Sequence, residues 1–195
     1  MAPLIVAIDG LMGSGKTTLL QNLAKKGFSV IQEQSHSWQF ISKFYENPKK
    51  YALTFQTEVL LTFNDYAFKD DGIVFVERCP QVTRSVFGKL LVSDGILTDE
   101  EMATFNNIYD LLHIWEPDVH IFISCPTDIA LERFKARGEA YDITPEYMKK
   151  LQSSYDIFNR YVGAIVVDGT QSEEHVVYSV LTNASLIERC VQRVV

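Results

Sequence analysis

The feature of this sequence that most restricts its fold is a glycine-rich segment directly after the first apolar run. Residues 4–8 are branched and apolar, as in a buried strand. The next segment matches G-x-x-x-x-G-K-S/T at every fixed position, with Gly10, Leu11, Met12, Gly13, Ser14, Gly15, Lys16 and Thr17. In such a loop the glycines let backbone N–H groups turn inward around a phosphate, and the following helix adds its positive dipole end. Lys16 would reach the β- and γ-phosphate oxygens, and Thr17 would hold Mg²⁺. We therefore expect a nucleotide-binding loop over residues 10–17, called the phosphate loop below.

Four more short apolar runs predict a parallel α/β fold. They cover residues 28–31, 73–76, 119–123 and 164–167, and each is bounded by Gly, Pro or charged residues. Segments with helical spacing lie between them, and strands that alternate with helices form parallel sheets with right-handed crossovers. The sequence thus predicts an α/β protein with five parallel strands.

Composition restricts the class of protein further. With 195 residues, of which 47% are hydrophobic, the chain has the size of one globular domain, which we expect over residues 1–195. Its net charge of −7 has the wrong sign for attracting phosphate backbones or anionic lipids, so we expect no nucleic-acid or membrane partner. No membrane span or secretory signal is recognisable. Because Cys79, Cys125 and Cys190 are odd in number and lack metal-type spacing, they indicate free thiols and a cytoplasmic protein.

A long connection separates the second strand from the third. It has about 40 residues, well above the usual loop length, and its aromatic residues suggest two helices around Asn47 and Pro48. An insertion at the carboxyl end of a strand is where a substrate pocket forms in an open α/β sheet. We expect residues 34–70 to build that pocket.

Charged residues at the ends of the second and third strands indicate the reaction class. The chain has no Asn-Lys-x-Asp guanine motif, and its third strand ends in Glu77 and Arg78 rather than in Asp followed by Gly. A switch GTPase or a motor ATPase therefore fits poorly. In a parallel sheet Glu33 and Glu77 would emerge at the same edge as the phosphate loop. A carboxylate there can accept the proton of an acceptor hydroxyl, and Arg78 can neutralise phosphoryl oxygens. The pattern favours a small-molecule kinase.

Two arginines follow the fourth strand. Arg133 and Arg137 lie four residues apart, on one face of an expected helix that Gly138 would end. We interpret residues 133–144 as a mobile lid whose arginines cover the donor phosphates. The alternative is a basic helix end that complements the helix dipole.

Several motifs occur in order along residues 4–170. They are the phosphate loop with the adjoining Thr18, Glu33 with Trp38 five residues later, the segment YENPKKYALTFQ over residues 45–56, the Glu77-Arg78 pair and the lid. Together they resemble the deoxyribonucleoside kinase family. The resemblance implies a five-stranded parallel sheet flanked by helices, a homodimer, and Mg²⁺-assisted transfer of the γ-phosphate of ATP to the 5′-hydroxyl of a deoxyribonucleoside in nucleotide salvage.

By motif position, the resemblance also implies roles for single residues. Glu33 would be the base near the 5′-hydroxyl, with Arg78 beside it. Glu77 would be the second carboxylate, near the metal, and is the alternative base. Gln56 would pair with the edge of the nucleobase, because an amide both donates and accepts hydrogen bonds, and Phe87 would stack on the ring.

The remaining implied roles concern the sugar and the pocket walls. Trp38 would line the pocket, and Tyr45 would hold the 3′-hydroxyl with an acidic partner from the lid, for which we prefer Asp142 to Glu139. The positions that tune base choice are Val59, Phe63 and Thr83. None of them is charged, which favours a pyrimidine nucleoside, thymidine or deoxycytidine.

Two alternative functions stay open. Thymidylate kinase shares the fold, the loop and an acidic residue followed by Arg after the third strand. Its monophosphate acceptor requires additional cations, and the insertion offers Lys43, Lys49, Lys50 and Lys69. A non-catalytic nucleotide-binding regulator would be expected to lack Lys16 or Glu33, and both are present.

Overall fold

The computed structural model describes residues 3–68, 72–112, 114–139 and 141–192, with side chains up to residue 184. The last two residues of the expected insertion, residue 140 of the lid and the side chain of Cys190 lie outside this description. Five parallel strands form one sheet in the order β2-β3-β1-β4-β5. They are β1 (Leu4–Gly10), β2 (Ser29–Ile31), β3 (Ile73–Glu77), β4 (Val119–Ser124) and β5 (Ile165–Asp168). This confirms the predicted fold class.

Helices cover both faces of the sheet. Along the chain they are α1 (Lys16–Lys25), a short 3₁₀ turn (Ser35–Ser37), α2 (Ile41–Glu46), α3 (Pro48–Asn64), α4 (Pro80–Val82), a π-helix (Thr83–Gly88), α5 (Lys89–Ser93), α6 (Asp99–Leu112), α7 (Thr127–Lys135), α8 (Pro145–Val162) and α9 (Glu173–Gln192). None of the helices in the described residues is long and apolar enough to cross a membrane.

The core has two layers because strand side chains alternate between the faces of a sheet. On one face, Val6 and Ile8 of β1 pack with side chains from α1 and α9. On the other face, Ala7 and Phe122 pack with side chains from the helices that follow β3 and β4. Burial of one such Val, Leu or Ile side chain contributes about 1.5–3 kcal/mol to folding. The two layers fix the sheet's carboxyl edge, where the phosphate loop lies.

Two helices of the insertion stand beside that edge. Asn47 ends α2 and caps α3, since its side-chain oxygen accepts a hydrogen bond from the N–H of Lys50 at 3.3 Å, and Pro48 occupies the first turn of α3. Glu58 on α3 accepts hydrogen bonds from the N–H groups of Gln39 and Phe40, at 2.7 and 3.0 Å. These bonds attach the segment around Trp38 to α3.

The helical segment after β3 is irregular in its middle. Residues Thr83–Gly88 form a π-helix between the regular turns α4 and α5. A π-helix has i→i+5 hydrogen bonds and is frequent at functional sites, where it changes the direction of side chains. Here it carries Thr83 and Phe87.

Candidate active site

The backbone of the phosphate loop has a conformation that requires glycine. Gly13 has φ 82°, and a Cβ atom there would lie 2.0 Å from the carbonyl oxygen of Ala130 on α7, so a side chain is excluded. The ammonium of Lys16 donates to the carbonyl oxygens of Gly10 and Leu11, at 3.2 and 2.9 Å. Burial, together with the nearby Arg78 charge, lowers the pKa of Lys16 to about 8.

Glu33 and Arg78 form an ion pair at the carboxyl edge of the sheet. Arg78 Nε lies 2.9 Å from Glu33 Oε1, and both side chains are largely buried. The same guanidinium donates through Nη1 to the hydroxyl of Tyr155, and its central carbon lies 5.2 Å from the ring centre of Phe87. Burial raises the pKa of Glu33 above its ordinary value, although the Arg78 charge opposes this shift.

The backbone of Arg78 is also unusual. Its φ of 65° places it in the left-handed region, and no other non-glycine residue of the described ranges has a positive φ. Such a conformation persists only where the surroundings hold it, and it is common at functional sites. Here the Arg78 N–H donates to the carbonyl of Ile8 on β1 at 3.0 Å.

Glu77 and Thr17 form a second polar pair at this edge. The Thr17 hydroxyl donates to Glu77 Oε1 at 3.2 Å, and Glu77 is only 6% exposed. The two residues expected to hold a metal therefore present their oxygen atoms side by side, next to the phosphate loop.

A cavity of about 290 Å³ lies between the insertion and the phosphate loop, and we call it the first cavity. It brings together Met12, Lys16, Thr17, Glu33, Trp38, Tyr45, Gln56, Val59, Glu77, Arg78, Thr83, Phe87 and Arg137 of the expected site residues. Gln56 is 95% buried, and among the described residues no protein group is hydrogen-bonded to its amide at the cavity wall. The cavity thus combines aromatic and aliphatic walls with a charged end at the phosphate loop.

Two of the expected substrate-binding residues lie away from this cavity. Phe63 is one helical turn beyond Val59 on α3, and it packs against Tyr66 and Trp115, with ring centres 5.5 and 6.1 Å away. Asp142 is exposed, and its Oδ1 accepts the N–H of Ile143 at 2.9 Å. Ile143 is buried in the core, which turns the backbone so that Asp142 faces outward. Glu139, the alternative acid, lines the cavity.

Several cavity residues were not identified from the sequence. Tyr141 of the lid stacks on Tyr45, with ring centres 4.0 Å apart and planes 4° from parallel. Phe134 and Tyr147 also line the cavity. The sequence could have indicated Tyr141, because it is an aromatic residue inside the lid. Phe134 and Tyr147 follow ordinary helical spacing, which does not distinguish them from core residues.

A second cavity of about 350 Å³ lies on the other side of the phosphate loop. Its lining includes Gly13, Ser14, Gly15, Thr18, Arg133 and Arg137. Arg133 donates to the carbonyl of Gly169 at 3.3 Å, which ties α7 to the segment after β5. Gly169 and Gln171 of that segment line the cavity too and were not expected. Arg137 lines both cavities, so it lies between the two binding spaces.

Cys79 and Cys125 are buried free thiols. Burial, followed by the nearby Asp9 carboxylate, raises the pKa of Cys79 well above its ordinary value, so this thiol stays protonated at neutral pH.

The fold and the site together define a class of protein. A phosphate loop at the carboxyl edge of a parallel sheet, with a cavity on each side and an ion-paired carboxylate in the lining of the first cavity, is the arrangement of a P-loop kinase. Comparison with known proteins gives the family: the deoxynucleoside kinase family model matches residues 6–194. The chain belongs to the deoxynucleoside kinase family, and it is an ATP-dependent deoxynucleoside kinase.

Individual relatives agree with this placement. A putative kinase protein of Invertebrate iridescent virus 6 is 31% identical over 186 residues, which cover 91% of this chain and 95% of the relative. The deoxyguanosine kinase of Bacillus subtilis is 29% identical over 160 residues, covering 78% of this chain and 76% of the relative. Among solved structures, deoxyadenosine kinase from M. mycoides with bound dCMP and dCDP matches 94% of this chain and 99% of that chain. Its TM-score is 0.83 at 22% sequence identity, a likeness of fold.

Proposed function

We propose that this kinase transfers the γ-phosphate of ATP to the 5′-hydroxyl of a pyrimidine deoxynucleoside, thymidine or deoxycytidine, in nucleotide salvage. The observation that carries the proposal is the ion pair of Glu33 and Arg78, 2.9 Å apart, at the end of the first cavity nearest the phosphate loop. Phosphoryl transfer to an alcohol benefits from a proton acceptor and from a cation near the phosphoryl oxygens. This pair supplies both groups.

In this mechanism Glu33 is the base. The 5′-oxygen forms a bond to the γ-phosphorus while its proton passes to Glu33, and the bond to the bridging oxygen of the β-phosphate breaks to leave ADP. The raised pKa of Glu33 makes its carboxylate a stronger base than an exposed one. Arg78 neutralises charge on the transferred group, and Glu77 is the alternative base.

The donor side of the site fits Mg²⁺-ATP. Thr17 and Glu77 offer a hydroxyl and a carboxylate oxygen 3.2 Å apart, and Mg²⁺ prefers oxygen ligands of this kind. When bound, the ion would neutralise charge on the β- and γ-phosphates. Arg133 and Arg137, which line the second cavity, would contact the same phosphates.

The walls of the first cavity support the pyrimidine preference. Gln56 can offer both its donor and its acceptor to the edge of thymine or cytosine, and Phe87 offers a flat apolar surface. Val59, Thr83 and Phe87 bring no charge to this cavity. Because one relative is named as a deoxyguanosine kinase, purine nucleosides are the competing outcome.

For the sugar, we propose that Tyr45 holds the 3′-hydroxyl with an acid from the lid. The cavity position of Glu139 favours it over Asp142 as that acid.

We also propose a cytoplasmic homodimer. Leu61 on α3 and Leu111 on α6 are 46% and 77% exposed, and apolar side chains of this kind suit a surface shared by two copies. Light scattering would give the oligomeric state.

A substrate panel tests the proposal. Thymidine, deoxycytidine, deoxyadenosine, deoxyguanosine and thymidylate are each incubated with the enzyme and γ-labelled ATP, with and without Mg²⁺. The matched control is Lys16→Ala, which removes the ammonium at the phosphate loop. We expect the wild-type enzyme to label thymidine or deoxycytidine with a higher kcat/KM than any other acceptor in the panel. We expect Lys16→Ala to label no acceptor. A preference for deoxyguanosine over both pyrimidines would reject the proposed base pocket, and labelling of thymidylate alone would support thymidylate kinase instead.

A further inference from the structure

We propose that Tyr155, on helix α8, is a positioning residue for phosphoryl transfer, because its hydroxyl fixes the orientation of the Arg78 guanidinium. The inference rests on the proposed role of Arg78. Arg78 donates to the Tyr155 hydroxyl through Nη1, and its Nε lies 2.9 Å from Glu33 Oε1. Two elements of the fold thus hold the guanidinium at two of its nitrogen atoms.

The Tyr155 hydroxyl is suited to this task because it is neutral. Burial raises the pKa of Tyr155 well above its ordinary value, so the group remains a neutral phenol at neutral pH. A phenol oxygen accepts a hydrogen bond from the guanidinium without cancelling its charge. A second carboxylate in its place would pair with the charge that Arg78 needs for the phosphoryl group.

The ring of Tyr155 is held rigidly. Its side chain is completely buried, and its ring lies 5.1 Å from that of Phe122 on β4 and 6.4 Å from that of Phe87, measured between ring centres. Phe87 in turn packs against the Arg78 guanidinium. Because the surrounding rings hold the phenol in place, its hydroxyl offers Arg78 a hydrogen-bond acceptor at a fixed position. The backbone of Arg78 itself has the uncommon φ of 65°.

Helix α8 also connects this contact to the lid. The helix begins at Pro145, directly after lid residues 133–144, and Lys150 binds Asp94 at 2.6 Å next to the end of α5. Tyr155 therefore attaches Arg78 to the same helix that bounds the lid. Arg137 of the lid lines the first cavity together with Arg78. The Tyr155 contact thus sets the position of the acceptor-side cation relative to the lid.

The test removes the hydroxyl and keeps the ring. In Tyr155→Phe we expect kcat to fall by about 10-fold, less than the roughly 10²-fold or larger loss that follows removal of a direct transition-state donor. The KM for the nucleoside and for ATP should change by less than about 2-fold, since Tyr155 is not among the residues that line either cavity. The melting temperature is measured in parallel.

Tyr109→Phe is the matched control. Tyr109 is also buried and lies against an arginine, but Arg84 sits over its ring at 4.1 Å, and in the described structure no group is hydrogen-bonded to its hydroxyl. We expect this variant to keep the wild-type kcat. A double-mutant cycle with Arg78→Lys then identifies the partner, because Tyr155→Phe should cost less than about 2-fold once the guanidinium is gone.

Three results would overturn the inference: an unchanged kcat in Tyr155→Phe, an equal loss in Tyr109→Phe, or a full 10-fold loss that persists in the Arg78→Lys background. These outcomes are distinct from failure of the proposed function. If the wild-type enzyme phosphorylated no deoxynucleoside, the proposed function would fail before any variant was compared.

Discussion

Replacement of Glu33 by Gln tests the proposed base most directly. The amide has nearly the shape of the carboxylate, and its oxygen can still accept the hydrogen bond from Arg78 Nε, now 2.9 Å from Glu33 Oε1. What disappears is the negative charge and the ability to take a proton. Loss of a general base usually costs about 10²–10⁴-fold, so we expect kcat to fall by at least about 10²-fold while nucleoside binding is retained.

The effect on stability should be modest. Removal of one partner of a buried ion pair costs about 3–5 kcal/mol when nothing replaces it. In Glu33→Gln the hydrogen bond survives, the site is 15% exposed, and the charges of Asp9 and Glu77 still act on Arg78. We therefore expect a loss of about 1–2 kcal/mol, which lowers Tm by a few degrees in a chain of this size. The variant remains folded at assay temperature.

The pH profile supplies a second readout of the same variant. A base acts in its ionised form, so wild-type activity should rise as the pH increases through the pKa of Glu33, which burial raises above its ordinary value. This acid limb should be absent in Glu33→Gln. Glu77→Gln is the comparison variant, measured with saturating Mg²⁺. If Glu77→Gln lost the acid limb and Glu33→Gln kept it, the two carboxylates would have to exchange roles.

Three further predictions concern the other parts of the site. Burial and the Arg78 charge lower the pKa of Lys16 to about 8, so the free enzyme loses the ammonium charge above that pH. We therefore expect kcat/KM for ATP to decline above about pH 8 in the wild-type enzyme and not in Lys16→Arg. Gln56→Leu should cost about 1–3 kcal/mol in kcat/KM for the preferred nucleoside and flatten the preference among bases, as measured with the four nucleosides. Glu139→Gln should raise the nucleoside KM by about 10-fold and Asp142→Asn by less than 2-fold, since only Glu139 of the two lines the first cavity; the reverse order would assign the sugar to Asp142.

The fold was predictable because its signals are local. Each strand is a short apolar run with clear boundaries, and the phosphate loop marks the end of the first one. Asn47 with Pro48, and Thr144 with Pro145, are cap and first-turn residues that mark the starts of α3 and α8. The strand order β2-β3-β1-β4-β5 was not among these predictions and comes from the structure.

The site residues at the ends of strands were easier to predict from the sequence than the site residues on helices. Glu33, Glu77 and Arg78 meet because parallel strands share one edge, so their proximity follows from topology alone. Phe63 shares a helix face with Val59, but four residues of helix span about 6 Å, and the cavity ends within that distance. Helical periodicity defines a buried face and does not say where along that face a cavity stops.

Tyr155 illustrates what only the tertiary structure supplies. Met148, Leu151, Tyr155 and Phe158 recur at the spacing of a buried helix face, and all four are buried on α8. By that pattern Tyr155 is one more core residue, and its ring does pack in the core. Its hydroxyl accepts a hydrogen bond from Arg78, which precedes it by 77 residues in the sequence. Arg78 follows β3 with a positive φ, and no sequence pattern predicts that conformation. A polar atom on an otherwise apolar helix face is therefore the signal to follow, since most buried hydroxyls have a hydrogen-bond partner, and here that partner is the guanidinium of Arg78.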